Sequence, residues 1–149
     1  MKPRTVFFIA IGILVIIVSI AWIIFSSRNQ AAIKVFPATI NRDCAPWDGA
    51  AFTVSFRYDP ITTITISIWQ SPDINFPSTF SFPDETGQVG YAYILPELDP
   101  LGQLSGQVFF WRVDEGSPVD GRFDLLTEAG QQFKGQFKAE WGNEIVYCG

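Results

Sequence analysis

Residues 133–141, FKGQFKAEW, show most clearly how this chain folds. Large or small apolar residues at the odd positions alternate with Lys134, Gln136, Lys138 and Glu140 at the even positions. Alternation with a period of two is typical of a β-strand that has one buried and one solvated face. A helix would mix the two sets, because its side chains repeat every 3.6 residues. The stretch therefore predicts an antiparallel strand.

The same alternation recurs upstream of this strand. Four further runs show it, and a fifth, shorter one follows them: Phe52, Val54, Phe56, Tyr58; Ile64, Ile66, Ile68; Val89, Tyr91, Tyr93, Leu95; Leu104, Gly106, Val108, Phe110; Phe123, Leu125. Gly, Pro and Asp separate the runs, and residues 128–130 predict a short hairpin loop. Pro77 and Pro83 limit residues 75–83 to an edge strand or a long loop.

A short motif repeats three times in the C-terminal half. Residues 105–108 (SGQV), 120–123 (DGRF) and 134–137 (KGQF) each place a glycine between polar residues and before a large apolar one. Fifteen residues make about one strand and one connection, so the repeat predicts a meander. A glycine within a strand allows a sharp bend or lets an aromatic ring lie across it. The fold class expected is an all-β domain, as an antiparallel meander, a small barrel or a strongly coiled β-sandwich, plus one N-terminal transmembrane α-helix.

The Gly-x-Phe hairpins of residues 104–141 resemble those of bacterial extracytoplasmic β-barrel and lipoprotein-type domains of uncharacterised function. The resemblance implies a cell-envelope context and no particular activity. This chain departs from the lipoproteins because no lipid-attachment cysteine lies near its N-terminal apolar segment.

That apolar segment, residues 6–25, contains no charged residue. At about 1.5 Å per residue, its length as a helix matches a hydrocarbon core of roughly 30 Å. Ser19-Ile20-Ala21 resembles a signal-peptidase site, but the apolar run continues past it, which favours an uncleaved signal anchor. We expect residues 1–5 in the cytoplasm, 6–25 in the cell membrane, 26–32 as a linker and 33–149 as a β domain outside.

The chain has two cysteines, Cys44 and Cys148, near the two ends of this domain. With no histidine and no Cys-x-x-Cys pair, they predict a disulfide rather than a metal or redox motif; two buried free thiols are the alternative. A disulfide needs an oxidising compartment, so it places the domain on the outer side.

Composition argues against several functions. The chain has no histidine, and it lacks a phosphate loop, a dinucleotide fingerprint and a serine elbow. Asp114, Glu115, Asp120 and Asp124 are dense, but they lack the spacing of a calcium loop. Residues 28–149 carry eight basic and fifteen acidic residues, a net charge of −7, which disfavours nucleic acid. We predict no enzyme activity, no metal and no cofactor.

Aromatic residues supply the candidate site. Trp69, Phe109 and Trp111 fall on the faces opposite the apolar sets of their strands, where they form a candidate partner-binding patch or lie buried beneath residues 75–83. We expect an interaction or scaffold module that contacts an envelope protein or lipid. The alternative is a small barrel that binds an apolar ligand or lipid. Whether inward residues fill the interior or line a cavity separates the two: Phe52, Phe56, Tyr91, Phe123, Phe137.

Overall fold

A computed structural model describes residues 33–69, 74–84, 89–95, 102–143 and 146–148. Eight strands account for most of them: β1 (Val35–Cys44), β2 (Ala50–Arg57), β3 (Thr63–Trp69), β4 (Ser78–Phe82), β5 (Gly90–Leu95), β6 (Gln103–Phe110), β7 (Val119–Leu126) and β8 (Gln132–Trp141). Across these described ranges, no helix has the length and apolarity needed to cross a bilayer. The predicted anchor and linker, residues 6–32, lie outside the described residues.

Seven of the strands close into a barrel in the order β1–β2–β3–β5–β6–β7–β8. Six of the seven pairings are antiparallel, and the closing pair, β1 with β8, is parallel. β4 lies outside this ring and pairs with residues 106–110 of β6, beyond the short β5–β6 pairing. The all-β prediction is therefore confirmed, the barrel is the form adopted, and residues 75–83 contain an edge strand.

The repeated glycines leave room for aromatic rings and for the backbone of a neighbouring strand. A methyl group at Gly121 would lie 2.2 Å from the ring of Phe137, and one at Gly135 would lie 2.7 Å from the ring of Phe36. Gly106 adopts a φ of +130°, and a methyl group there would meet a carbonyl oxygen of β7 at 2.2 Å. The predicted meander β6–β7–β8 is confirmed. Aromatic rings lie across Gly121 and Gly135, and at Gly106 the backbone of β7 occupies the space that a side chain would need.

Aromatic rings pack across the interior from one end of the barrel to the other. Phe56 lies at the centre, with ring centroids 4.8 Å from Phe123 and 5.8 Å from Phe137. Further ring pairs at 5.0–5.7 Å continue in both directions: Tyr58–Phe133, Phe36–Tyr58, Phe36–Phe123, Phe110–Phe137, Phe52–Phe110. Rings in direct contact, nearly all of them fully buried, show that these inward side chains fill the space between them.

The prediction for β5 was wrong about which face is inside. Tyr91, Tyr93 and Leu95 lie on the outer surface, whereas Ala92 is fully buried. Both faces of β5 carry apolar residues, so the alternating pattern wrongly assigned the larger side chains, Tyr91, Tyr93 and Leu95, to the interior. Pairing decides the matter, because Ala92 lies opposite Ile66 and Ile94 opposite Ile64, whose side chains point inward.

The strand registers define two ends of the barrel. The Cys44 end contains the end of β1, the β1–β2 turn, Trp69 at the end of β3, the start of β5 and the β6–β7 connection. The Lys34 end contains the start of β1, the β2–β3 turn, the end of β5 and the β7–β8 hairpin. That hairpin is the one expected at residues 128–130, and Gln131 N donates to Thr127 Oγ1 at 3.0 Å within it.

Candidate functional site

The predicted disulfide is confirmed and lies at the Cys44 end. Cys44 and Cys148 are joined with a Cα–Cα distance of 5.5 Å across a sequence separation of 104. Cys44 is the last residue of β1, so the bond holds the C-terminal tail against the end of this strand. The described tail residues form no strand, and Tyr147 is 87% exposed.

An aromatic cluster surrounds Trp69 on the outer surface of this end. The ring of Trp69 packs edge-to-face against Trp47 at 5.3 Å and against Tyr91 at 6.0 Å. Tyr91 continues the row to Tyr93 at 5.5 Å. The residues come from the β1–β2 turn, β3 and β5, so three separated parts of the sequence build one surface. Edge-to-face contacts of this kind stabilise a fixed ring arrangement.

Trp47 is held in place although about half of it is exposed. Its turn is closed by hydrogen bonds from Ala45 N to Gly49 O at 2.7 Å and from Asp48 N to Ala45 O at 3.0 Å. The indole lies across Gly49, where a methyl group would be 2.5 Å from Trp47 Nε1. With 51% of its surface exposed, Trp47 offers a large and pre-oriented ring to a partner.

Hydrogen bonds fix the sheet beneath this cluster. The Asp43 carboxylate accepts from Thr53 Oγ1 at 2.7 Å and from Cys44 N at 2.8 Å. Thr53 Oγ1 also lies 3.3 Å from Ser67 Oγ, and Ser67 is 1% exposed although it faces outward. Because its polar atoms have partners within the sheet, this network supports the surface rather than offering free groups to a ligand.

A second cluster lies on β6 and the residue after it. Phe109 packs edge-to-face on Trp111 with a centroid distance of 4.8 Å, and the Arg122 guanidinium lies 4.7 Å from the Phe109 ring centroid. Trp111 is 44% exposed. β4 lies beside β6 in the sheet, opposite Phe109 through Thr79, and does not bury Trp111. Of the two expectations for these rings, exposure rather than burial beneath residues 75–83 is observed for Trp111.

A cleft of about 330 Å³ lies beside the disulfide at the same end. Arg42, Glu115, Val146 and Cys148 line it, together with Asp43, Ala50, Ala51, Val113 and Trp141. Arg42 and Glu115 form an ion pair across it, and Trp141 Nε1 donates to Asp114 O at 2.9 Å. These contacts attach the β6–β7 connection to the ends of β1 and β8, so the cleft lies where these three parts of the barrel meet.

The structure places Trp69, Phe109 and Trp111 at one end of the barrel, but in two clusters. Within the described ranges, ring contacts join Trp69 to Trp47 and Tyr91, and none joins it to Phe109 or Trp111. We call the five exposed or half-buried rings of this end the aromatic rim: Trp47, Trp69, Tyr91, Phe109, Trp111. Sequence reasoning missed Trp47, since its Pro-Trp-Asp-Gly context indicated only a turn, and it assigned Tyr91 to the interior.

The carboxylates with clearly shifted pKa values lie away from the rim. Hydrogen bonds from Lys134 Nζ at 2.9 Å and Gln132 Nε2 at 2.6 Å lower the pKa of Asp124. The pKa of Asp59 is lowered chiefly by the backbone N–H of Ile61, and next by its hydrogen bond with Thr62. No set of His, Cys, Asp or Glu side chains within the described residues is arranged to hold a metal ion.

The fold and site therefore define a small closed β-barrel with an aromatic rim at its Cys44 end. Comparison of the chain with models of protein families, with curated proteins and with solved structures found no match.

Proposed function

We propose that this protein is a membrane-tethered, non-catalytic interaction module that binds a partner protein of the cell envelope through its aromatic rim. The observation that carries the proposal is the pair of half-exposed, ring-packed tryptophans, Trp47 and Trp111, at one end of the barrel. Tryptophan and tyrosine dominate the binding energy of protein interfaces because one rigid ring buries a large area at little entropic cost.

The acidic charge near the rim favours a partner with a basic surface. Asp43, Asp48, Asp114, Glu115 and Asp120 outnumber Arg42, Arg112 and Arg122 at the Cys44 end. Two of these carboxylates pair with arginines, as Glu115 with Arg42 and Asp114 with Arg112. The remaining acidic excess suits a partner surface that carries basic residues, and added salt should slow the association.

The alternative, an apolar ligand inside a small barrel, is compatible with the fold class but receives less support from the interior. Phe52, Phe56, Phe123 and Phe137, four of the five residues that would line such a cavity, are 1–3% exposed and pack against other rings. The fifth, Tyr91, lies on the outside. We therefore place recognition on the outer surface of the barrel.

The tether is inferred from the sequence. Residues 6–25 are long and apolar enough to act as an uncleaved anchor, and the disulfide suits a domain in an oxidising compartment. This topology leaves the N-terminus in the cytoplasm and the barrel outside.

Site-specific photocrosslinking in cells tests the proposal. A photoreactive phenylalanine analogue replaces Trp111 in the full-length chain, and a matched replacement of Gln107 serves as the control on the barrel wall. We expect an adduct of one reproducible mass from position 111 and none from position 107. Adding Trp47→Ala to the position-111 variant should reduce the adduct about tenfold, since loss of a central aromatic anchor costs at least ~1.4 kcal/mol.

Equal crosslinking from positions 107 and 111 would contradict a specific rim interface. Failure to crosslink at either position, together with an apolar compound that co-purifies with the folded protein, would favour the ligand-binding alternative.

A further inference from the structure

The exposed apolar residues of the barrel are divided between its two ends by chemical type. Among the described residues with large exposed apolar side chains, the aromatic ones lie at the Cys44 end, whereas five of the six aliphatic ones lie at the Lys34 end: Ile33, Val35, Ile61, Leu95, Leu126. The sixth, Val146, belongs to the disulfide-bonded tail. We propose that the Lys34 end rests against the phospholipid bilayer, with these aliphatic side chains at the headgroup level. This inference rests on the tether of the proposed function.

The distribution of these residues around the barrel argues for a planar surface. Ile33 precedes β1 and Val35 begins it, Ile61 occupies the β2–β3 turn, Leu95 ends β5 and Leu126 ends β7. The ends of β1, β5 and β7 are separated by other strands of the ring, so the residues form a circle rather than one patch. A bilayer surface can contact all of them at once, whereas a globular partner would cover one side.

Ile61 is the most exposed of the five, and its turn is rigid. The Asp59 carboxylate accepts hydrogen bonds from Ile61 N at 2.9 Å and from Thr62 N at 2.8 Å, and Tyr58 N donates to Thr62 O at 2.9 Å. The side chain of Ile61 is 82% exposed at the tip of this turn. A fixed turn that holds an isoleucine in solvent gains no packing from it, but insertion at an interface would bury it.

Two cations, Arg57 and Lys34, and two carboxylates, Asp59 and Glu128, accompany the aliphatic side chains. Arg57 ends β2 and is exposed, and Lys34 Nζ lies 4.5 Å from the Phe36 ring centroid and 3.3 Å from Tyr58 O. Long basic side chains beside apolar ones are typical of membrane interfaces, because their stems lie along the apolar layer while their charges meet phosphate groups.

The length of the linker fits this placement. Seven residues, 26–32, separate the apolar segment from Ile33, and an extended chain of that length spans at most about 25 Å. A ten-residue strand such as β1, about 33 Å long and tilted by about 40°, extends roughly 25 Å along the barrel axis. Because Ile33 precedes the start of β1, the linker joins the domain at the aliphatic end, and the aromatic rim lies a barrel length from that point.

Spin-label accessibility in vesicles tests this orientation. The full-length chain carries Ile61→Cys and is reconstituted into phosphatidylcholine vesicles; Ser117→Cys, exposed on the β6–β7 connection at the Cys44 end, is the matched control. Cys44 and Cys148 are bonded to each other, so only the introduced thiol takes the nitroxide. We expect the ratio of oxygen to aqueous nickel-chelate accessibility to be about fivefold higher at position 61 than at 117, because oxygen partitions into hydrocarbon.

Vesicle flotation separates the two proposals. A chain that floats with the vesicles but gives equal ratios at positions 61 and 117 overturns the orientation and leaves the tether intact. A chain that does not float overturns the tether and the orientation with it. Unchanged circular dichroism of both labelled variants establishes that the barrel is folded in each case.

Discussion

Replacement of Gly121 by alanine should destabilise the barrel through a clash inside its core. The new methyl group would lie 2.2 Å from Cζ and 2.7 Å from Cε1 of Phe137, and 2.8 Å from Phe109 O. Carbon atoms pack at about 3.5–4.0 Å, so the ring must move by more than about 1 Å. Phe137 is 1% exposed and contacts Phe56, Phe110 and Phe123, which leaves the ring little room.

The expected cost can be estimated from this geometry. Overpacking a core costs about 1–3 kcal/mol, and the tight contact with backbone as well as ring places Gly121→Ala near the upper part of that range. Replacing glycine also lowers the conformational entropy of the unfolded chain, which favours the folded state by about 0.5–1 kcal/mol and offsets part of this cost. We expect a net destabilisation of about 2 kcal/mol, or a melting temperature about 8 °C lower for a domain of this size.

Thermal unfolding followed by circular dichroism measures this loss, and a double-mutant cycle identifies its cause. In a Phe137→Leu background the shorter side chain leaves space for the methyl group, so Gly121→Ala should cost at least ~1 kcal/mol less than in the natural chain. Gly116→Ala is the control, because a methyl group there meets nothing within 4 Å and only its φ of +76° opposes the change. The cost of Gly116→Ala should not depend on Phe137. A neutral Gly121→Ala variant, or additive costs in the cycle, would refute the reasoning.

Three further predictions concern the disulfide, a surface ion pair and the rim. Joint replacement Cys44→Ser and Cys148→Ser should lower the free energy of unfolding by at most about 4–5 kcal/mol, because it opens a loop of about 100 residues. Denaturant midpoints compared with those of the oxidised chain measure this loss, and equal midpoints would show that the bond does not stabilise the fold. The hydrogen bond from Lys134 keeps the pKa of Asp124 in the folded protein below its usual value. The pair therefore stabilises the fold at pH values above the unfolded pKa of about 3.9, and this stabilisation is lost as the pH falls through the lower pKa of the folded state. Lys134→Gln should therefore raise the pKa of Asp124, measured by NMR titration of its carboxyl carbon, and an unchanged titration would exclude Lys134 as the cause. Gly49→Ala should displace the Trp47 indole, because a methyl group there would lie 2.5 Å from Nε1, and should alter the tryptophan fluorescence spectrum without unfolding the barrel; an unchanged spectrum would contradict the packing described for this turn.

Strand β1 and its pairing with β8, which the sequence did not predict, both depend on contacts between distant parts of the chain. β1 was not predicted, because Pro37, Asn41, Arg42 and Asp43 interrupt its apolar pattern. It forms a strand because both of its edges are paired, with β2 on one side and β8 on the other, which satisfies its backbone groups whatever its composition. The parallel β1–β8 pairing that closes the barrel joins the two ends of the domain, so no local pattern could indicate it.

The sequence by itself determined the strands with one apolar and one polar face, the room for aromatic rings at the repeated glycines and the disulfide. Each depends on local periodicity, on a single residue type or on the presence of only two cysteines. Tertiary structure alone decided the inner face of β5 and the composition of the rim. Trp47, Trp69 and Tyr91 lie more than twenty residues apart in sequence, and they meet because β2–β3 and β3–β5 pairing brings their strand ends together. Such contacts depend on which strands pair, and the residue pattern along one strand indicates its buried face but not its partner strand.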